Sequence, residues 1–448
     1  MFDILFSNIT TLDGQAYIGV KDGKIAYVGA GCPAGQCGGI PPVPPDTPQA
    51  EQVIDGKNKL LLPGIVNAHT HIPMTAFRGW GDGHDLQTWL FDYIFPYEDK
   101  MDGKCAAICA QLGLAEAIAT GTVAIMDMYS LYNAVAPAVA DSGINANLSR
   151  GCTTLGNDYD FNNSISIKET KELVRDWHGY DNGRIMVDAS IHAEYTSDEQ
   201  LWRPIAEYAA RNKLGMHVHI SETRREHEEC KRRHGKTPIE LFSEMGVFNT
   251  RTVAAHCVWV EYSDMVIMSK LGVSAIHNPV SNLKLASGVA KVPDMLKAGV
   301  NVALGTDGVS SNDNMDMFEE IKLASILHKG VSLEPTIIRT LDVLDMATVS
   351  GAKALGRADT GAITVGRWAD LIVLDIDKPH FYPRHDIAAL VTYAASGSDV
   401  CLNMVRGKVL YKNGEHMTID IEKAKYELIN YVMPKVFGAG ALPGNAGA

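Results

Sequence analysis

Two histidines one residue apart close the apolar run Leu60-Leu61-Leu62-Pro63-Gly64-Ile65-Val66-Asn67-Ala68-His69-Thr70-His71. Alternate side chains of a strand share a face, so His69 and His71 point the same way, about 7 Å apart along it. One metal ion can be gripped by both imidazoles if other segments supply further ligands. Candidates end other short apolar runs: His219 before Ile220-Ser221-Glu222, His256 after 252–255, Asp307 in Gly305-Thr306-Asp307-Gly308, and His192 just past 185–190. A lone histidine at a strand end is usually a hydrogen-bonded core residue. Several such groups at matching ends of different strands point instead to a metal site. Three histidines and one carboxylate leave a position open for water, as in a catalytic zinc centre. Such an ion lowers the pKa of its water from about 15.7 to about 7. Glu222 lies three residues past His219, beyond the strand, where it can reach a substrate without ligating the metal. That suits a proton shuttle, and it is compatible with a helix-start carboxylate favoured by the dipole.

These groups need strands to present them. From Leu60 onward, short apolar runs alternate with helical patterns, the sign of βα units and a parallel sheet. Runs at 122–127, 144–149, 185–190, 214–219, 252–256, 273–277 and 300–305 join the opening run to make eight. Eight such units close into a (β/α)8 barrel, whose active sites collect at the C-terminal ends of the strands. Ahead of it, residues 2–30 alternate apolar and polar and are broken at Asp13-Gly14 and Asp22-Gly23, which are hairpin signals. After helical segments at 315–328 and 334–355, the alternation returns in 366–374 and 400–410. The two ends are therefore expected to pair, with 1–59 and 360–448 forming one small β-sandwich domain beside a barrel at 60–359.

A chain of 448 residues with 46% hydrophobic and 21% charged residues has the balance of a soluble α/β protein. Its formal charge of −13 argues against nucleic-acid binding, which needs a basic face. No apolar run is long enough to span a bilayer, and the start MFDILFSNIT lacks the basic opening and cleavage site of a signal peptide. Eight cysteines in so long a chain do not form a disulfide framework. Cys105 and Cys109 fall one turn apart on an apolar helix, where buried thiols are common. Cys32 and Cys37 sit in a Gly/Pro-rich insert and would bind a metal only with two further ligands. The expected location is the cytoplasm.

Together His69-Thr70-His71, His219-Ile220-Ser221-Glu222, Ala255-His256-Cys257 and Gly305-Thr306-Asp307-Gly308 resemble the amidohydrolase superfamily. The segments at 192–196, 278–282 and 89–98 narrow the resemblance to the branch of S-adenosylhomocysteine and 5′-methylthioadenosine deaminases, with guanine deaminases and triazine hydrolases as relatives. The resemblance implies one metal ion per subunit, zinc by preference with iron(II) or manganese(II) as alternatives, ligated by His69, His71, His219 and Asp307. His256 would hydrogen-bond the hydrolytic water. Binuclear relatives need a carbamylated lysine on strand four, and 185–190 has no lysine. Asp307 would take a proton from water, Glu222 would protonate N1 of an adenine ring, and attack at C6 would release ammonia. A homo-oligomer and a small nucleoside substrate are also implied.

Further substrate contacts follow from the same resemblance: Glu98 to the ribose hydroxyls, His192 to the purine, and Arg150 toward an amino-acid end. No second arginine or lysine occurs in 151–167, although Asp158 and Asp160 do, which weakens the case for a carboxylate-bearing substrate. The alternative reading is a deaminase of another heterocycle, guanine or a pterin, or a triazine hydrolase. Dehalogenating relatives often lack the glutamate that Glu222 provides. His217 should fill the barrel interior, His277 should border the site, and Trp89, Tyr93 and Tyr97 should wall it. The run 224–229 should be a solvated helix face.

Overall fold

The computed structural model of the chain describes residues 1–31, 49–155 and 159–438; Cys32, Cys37 and Asp158 lie outside them. Eight parallel strands form one sheet: Ile65–Thr70, Thr122–Tyr129, Asn145–Arg150, Ile185–Ala193, Met216–Ile220, Thr252–His256, Ser274–His277 and Asn301–Leu304. Nearly every residue on them is buried, as expected of strands covered by helices on one face and by the barrel interior on the other. The eighth strand returns to the first through a parallel bridge between Thr70 and Asp307, where the Asp307 amide donates to the His69 carbonyl at 3.0 Å. This is the expected (β/α)8 barrel.

The N-terminal end of the barrel is tied to the segment 347–357. Val66 N donates to Ala347 O at 2.8 Å, Asn301 Nδ2 to Ser350 O at 3.1 Å, and Asn147 Nδ2 to Leu355 O at 3.2 Å. The buried guanidinium of Arg357 donates to Asn147 Oδ1 and to the carbonyls of Ala146, Gly183 and Arg184. Those bonds leave the opposite end free to open into a cavity.

Both chain ends build a second, mixed sheet of nine strands. Leu371–Asp375 runs antiparallel to Lys59–Pro63, with Ile372 opposite Leu62, and this pair joins the C-terminal strands to the N-terminal ones. The hairpin between Gly14–Lys21 and Lys24–Ala30 turns at Asp22-Gly23, both at positive φ, as a two-residue hairpin loop requires. The preceding hairpin turns one residue earlier than the Asp13-Gly14 signal suggested, at Leu12-Asp13, because Gly14 already pairs with Thr11. The apolar run at 60–71 is likewise divided. Lys59–Pro63 belongs to the mixed sheet, and Ile65–Thr70 starts the barrel. At the crossover, Gly64 lies so close to Val123 that a Cβ would fall 2.2 Å from its methyl group.

His277 ends the seventh barrel strand but does not enter the cavity. It packs against His328 on the helix Met317–Ser332, ring centroids 5.1 Å apart. Both are buried, and neither nitrogen of His277 nor Nε2 of His328 has a hydrogen-bond partner among the described residues. Burial pushes His328 from 6.5 down to about 4. The unfolded chain therefore takes up this proton first, so stability is full above about pH 6.5 and is lost as pH falls toward 4. Chemical denaturation at pH 7 and pH 5 should show about 2 kcal/mol less stability at pH 5 from this group. The substitution His328→Leu should remove that part of the difference, and an unchanged pH slope in the variant would refute the assignment.

Candidate active site

The first strand delivers His69, and the residue just past its end is His71; the fifth delivers His219, the sixth His256, and the loop after the eighth Asp307. Ligand atoms of His69, His219, His256 and Asp307 all lie within 4.8 Å of one another. Nε2 of His71 joins them, 3.1 Å from Asp307 Oδ1 and 3.3 Å from His219 Nε2. Five groups expected from the sequence thus meet at one point.

Hydrogen bonding on the far side of each ring decides which nitrogen faces that point. His71 Nδ1 donates to Met128 O at 2.5 Å and His219 Nδ1 to His192 O at 2.6 Å, because a carbonyl can only accept. For His69 the assignment passes through two further residues. Ser149 Oγ gives its hydrogen to Asp127 O, so it accepts from His217 Nδ1; His217 Nε2 then accepts from His69 Nδ1 at 2.8 Å. All three Nε2 atoms are left pointing inward. His217 fills the interior as expected and also sets the tautomer of His69.

Asp307 is prepared in the same way. Its Oδ2 accepts from Ser281 Oγ at 2.7 Å and Ser311 Oγ at 2.8 Å, leaving Oδ1 to face the histidines. Asp307 Oδ1 and His69 Nε2 are both buried and lack a hydrogen-bond partner among the described residues, an arrangement that a cation at the centre would satisfy. Imidazole nitrogens with one carboxylate are a donor set suited to a first-row divalent ion. Residues at this centre also carry backbone strain, with φ at +63° for Asp307 and +71° for His256. Such conformations cost about 1–3 kcal/mol each and persist where surrounding contacts hold them.

Glu222 sits beside the cluster, its Oε2 3.5 Å from His256 Nε2 and its Oε1 3.4 Å from Ser287 Oγ. It does not cap the following helix: Thr223 does, accepting from Glu226 N at 3.1 Å. Burial raises Glu222 above the ordinary carboxylate range, which favours its carrying a proton. His256 Nδ1 donates to Asn282 Oδ1 at 2.9 Å, which turns Nε2 toward Glu222 and the cluster. Above these groups opens a cavity lined by Leu86, Trp89, Phe95, Glu98, Arg150, His192 and Tyr195, among others. Tyr93 and Tyr97 do not line it. Tyr93 stacks on His84, and Tyr97 packs on Trp80 and Phe437.

A match to the amidohydrolase family spans residues 60–410. The chain belongs to the amidohydrolase family. Among its relatives is a 5-methylthioadenosine/S-adenosylhomocysteine deaminase of Dictyoglomus thermophilum, 45% identical over 84% of this chain and 88% of that protein. A 5′-deoxyadenosine deaminase of Methanothermobacter thermautotrophicus is 42% identical over 84% of this chain and 87% of its own length. The crystal structure of an adenosine deaminase from Xanthomonas campestris with bound zinc superposes with a TM-score of 0.88 at 27% identity, covering 95% of this chain and 97% of that one.

The amidohydrolase also uses residues that strand-end reasoning passed over. Asp127, on the second strand, accepts from Ile72 N at 2.6 Å, Thr70 Oγ1 at 2.9 Å and Tyr132 OH at 2.7 Å, fixing the turn after His71. Ser281 and Asn282 follow the seventh strand in the segment 278–282, and Ser311 comes one helical turn after Asp307. The run 224–229 is not uniformly solvated, for Glu226 and His227 are buried at 1% and 3% exposure.

Gly305 makes the seam possible. A Cβ there would lie 2.8 Å from His69 N and 2.9 Å from His69 O, both main-chain atoms that cannot give way. Gly305→Ala should cost about 1–3 kcal/mol in chemical denaturation and lower the metal retained per chain. Wild-type stability together with wild-type metal content would show that the seam tolerates the extra carbon.

Proposed function

We propose that this hydrolytic deaminase acts on the adenine ring of a nucleoside whose 5′ substituent is small and uncharged, such as 5′-methylthioadenosine or 5′-deoxyadenosine. The observation that carries the chemistry is Glu222, a buried carboxyl aimed into the cavity beside His256 and a converging ligand cluster. The relatives' substrates favour adenine over guanine, a pterin or a triazine.

His69, His71, His219 and Asp307 would hold one zinc ion, with His256 left to orient water because it faces Glu222. Zinc bound there supplies a water acidic enough to deprotonate near neutrality, with a pKa of about 7. Asp307 accepts a proton from the attacking water, and His256 holds that water toward C6. Glu222 delivers its proton to N1 as the C6–O bond forms, so no negative charge is left on the ring. Asp307 then returns its proton to the amino group, the C6–N bond breaks, and ammonia leaves. The remaining C6–OH proton restores Glu222, and a 6-oxopurine nucleoside is the product.

His192 is suited to a substrate donor. Thr196 gives its hydroxyl hydrogen to Ala193 O, so His192 Nδ1 donates to Thr196 Oγ1 at 3.0 Å and Nε2 remains an acceptor. Burial pushes this ring down to about 3, so it stays neutral. Glu98, partly buried and raised by burial, offers acceptors for the ribose hydroxyls. At the 5′ end, Arg150 is the sole lysine or arginine among the described lining residues, and its Nε lies 2.5 Å from Glu169 Oε2. That pairing supports an uncharged 5′ group, because an incoming carboxylate would compete with Glu169 for the guanidinium.

Ammonia release from 5′-methylthioadenosine should vanish on dialysis against a chelator and return with zinc. Glu222→Gln should keep its metal yet lose at least 10²-fold in kcat; near-wild-type turnover would remove Glu222 from the proton transfer. Freeing the guanidinium with Glu169→Gln should raise kcat/KM for S-adenosylhomocysteine about tenfold relative to 5′-deoxyadenosine, about 1.4 kcal/mol. An unchanged ratio would take the Arg150 pairing out of substrate selection.

A further inference from the structure

The helix Arg224–His234 begins just past Glu222, and one of its carboxylates turns back under the chain that precedes it. Glu226 Oε1 accepts from Ser221 N at 2.8 Å and its Oε2 from Glu222 N at 2.8 Å. Two successive amides thus converge on the two oxygens of one carboxyl group, supplied by the protein's own side chain. Ser221 adopts φ +50°, a conformation that a serine does not hold unaided. Its carbonyl accepts from Trp259 N at 2.9 Å, and its hydroxyl lies 3.1 Å from His227 Nδ1. The turn between the strand bearing His219 and the helix is thus clamped on every polar atom of Ser221. The direction in which Glu222 leaves the backbone follows from that clamp.

We infer that Glu226 is a positioning residue for Glu222: by holding two adjacent amides it sets the turn that aims the Glu222 carboxyl at the reacting ring. This rests on the role proposed above for Glu222. Glu226 itself touches neither the cavity nor the ligand cluster, so its effect on turnover passes through Glu222. A glutamine in its place keeps the shape but offers one acceptor oxygen and presents an NH2 group to the second amide. An aspartate keeps the carboxyl group but is too short to reach both amides. Either change lets the turn relax, and a misplacement of about 1 Å at a proton donor costs on the order of 10²-fold in rate.

The test compares Glu226→Gln, Glu226→Asp, Glu222→Gln and the double variant Glu226→Gln/Glu222→Gln, each as the full chain loaded with zinc and assayed with 5′-methylthioadenosine. Both Glu226 variants should lose about 10- to 100-fold in kcat, with KM, metal content and melting temperature close to wild type. The double variant should be no slower than Glu222→Gln alone, since a residue acting only through another adds nothing once that one is gone. Wild-type kcat in either folded Glu226 variant overturns the inference. So does a further fall in the double variant, or a loss of kcat, KM and metal together, which marks a merely structural helix cap. If Glu226→Gln does not fold, Glu226→Asp decides alone. An active Glu222→Gln would sink the shuttle and this inference with it, whereas an inactive Glu222→Gln beside a fully active Glu226→Gln sinks only the role of Glu226.

Discussion

The main-chain bond from Asp307 to His69 joins the last barrel strand to the first at the level of the ligand groups. Closing the barrel and assembling the site are consequently one event. The sheet must curl through eight strands before Asp307 can lie beside two histidines that precede it by more than two hundred residues. A barrel left open along this seam would separate the carboxylate from the imidazoles. Gly305 carries no Cβ because the two backbones approach too closely for one.

A second constraint acts inside the closed barrel. Several imidazoles crowd one buried volume, and burial holds His192, His217 and His219 below their ordinary pKa. Neutral rings have one donor and one acceptor nitrogen, so the protein must choose which faces inward. It chooses with carbonyls, at Met128 and His192, and with the path from Asp127 O through Ser149 and His217 to His69. Two serine hydroxyls make the matching choice for Asp307. The Nε2 atoms are aimed before any ligand arrives, so little ordering of the rings remains to be done on binding.

The mixed sheet and the segment 347–357 serve the same end from below. Lys59–Pro63 pairs with Leu371–Asp375 and passes through Gly64 directly into the first barrel strand, so the strand that bears His69 and leads into His71 is anchored at its base by the other end of the chain. Arg357 and Asn147 bind main-chain carbonyls at the barrel's N-terminal rim. With that end rigid, the functional groups are confined to the C-terminal rim, where loops are free to carry them.

Much of this was legible in the linear chain. Alternation and βα rhythm place a polar residue at a predictable strand end, so His69, His71, His219, His256 and Asp307 announce themselves by position and type, and Glu222 by its offset from His219. The parallel strands were legible because burial on both faces demands apolar runs. Contacts made between elements were not. The pairing of Arg150 with Glu169, the clamp of Glu226 on two amides, the outward packing of His277 on His328 and the division of one apolar run at Gly64 depend on how distant or turned segments meet. Local pattern sets which face of an element a side chain occupies, because that follows from backbone periodicity. What the side chain touches is set by packing of the whole chain, and only the tertiary structure decides it.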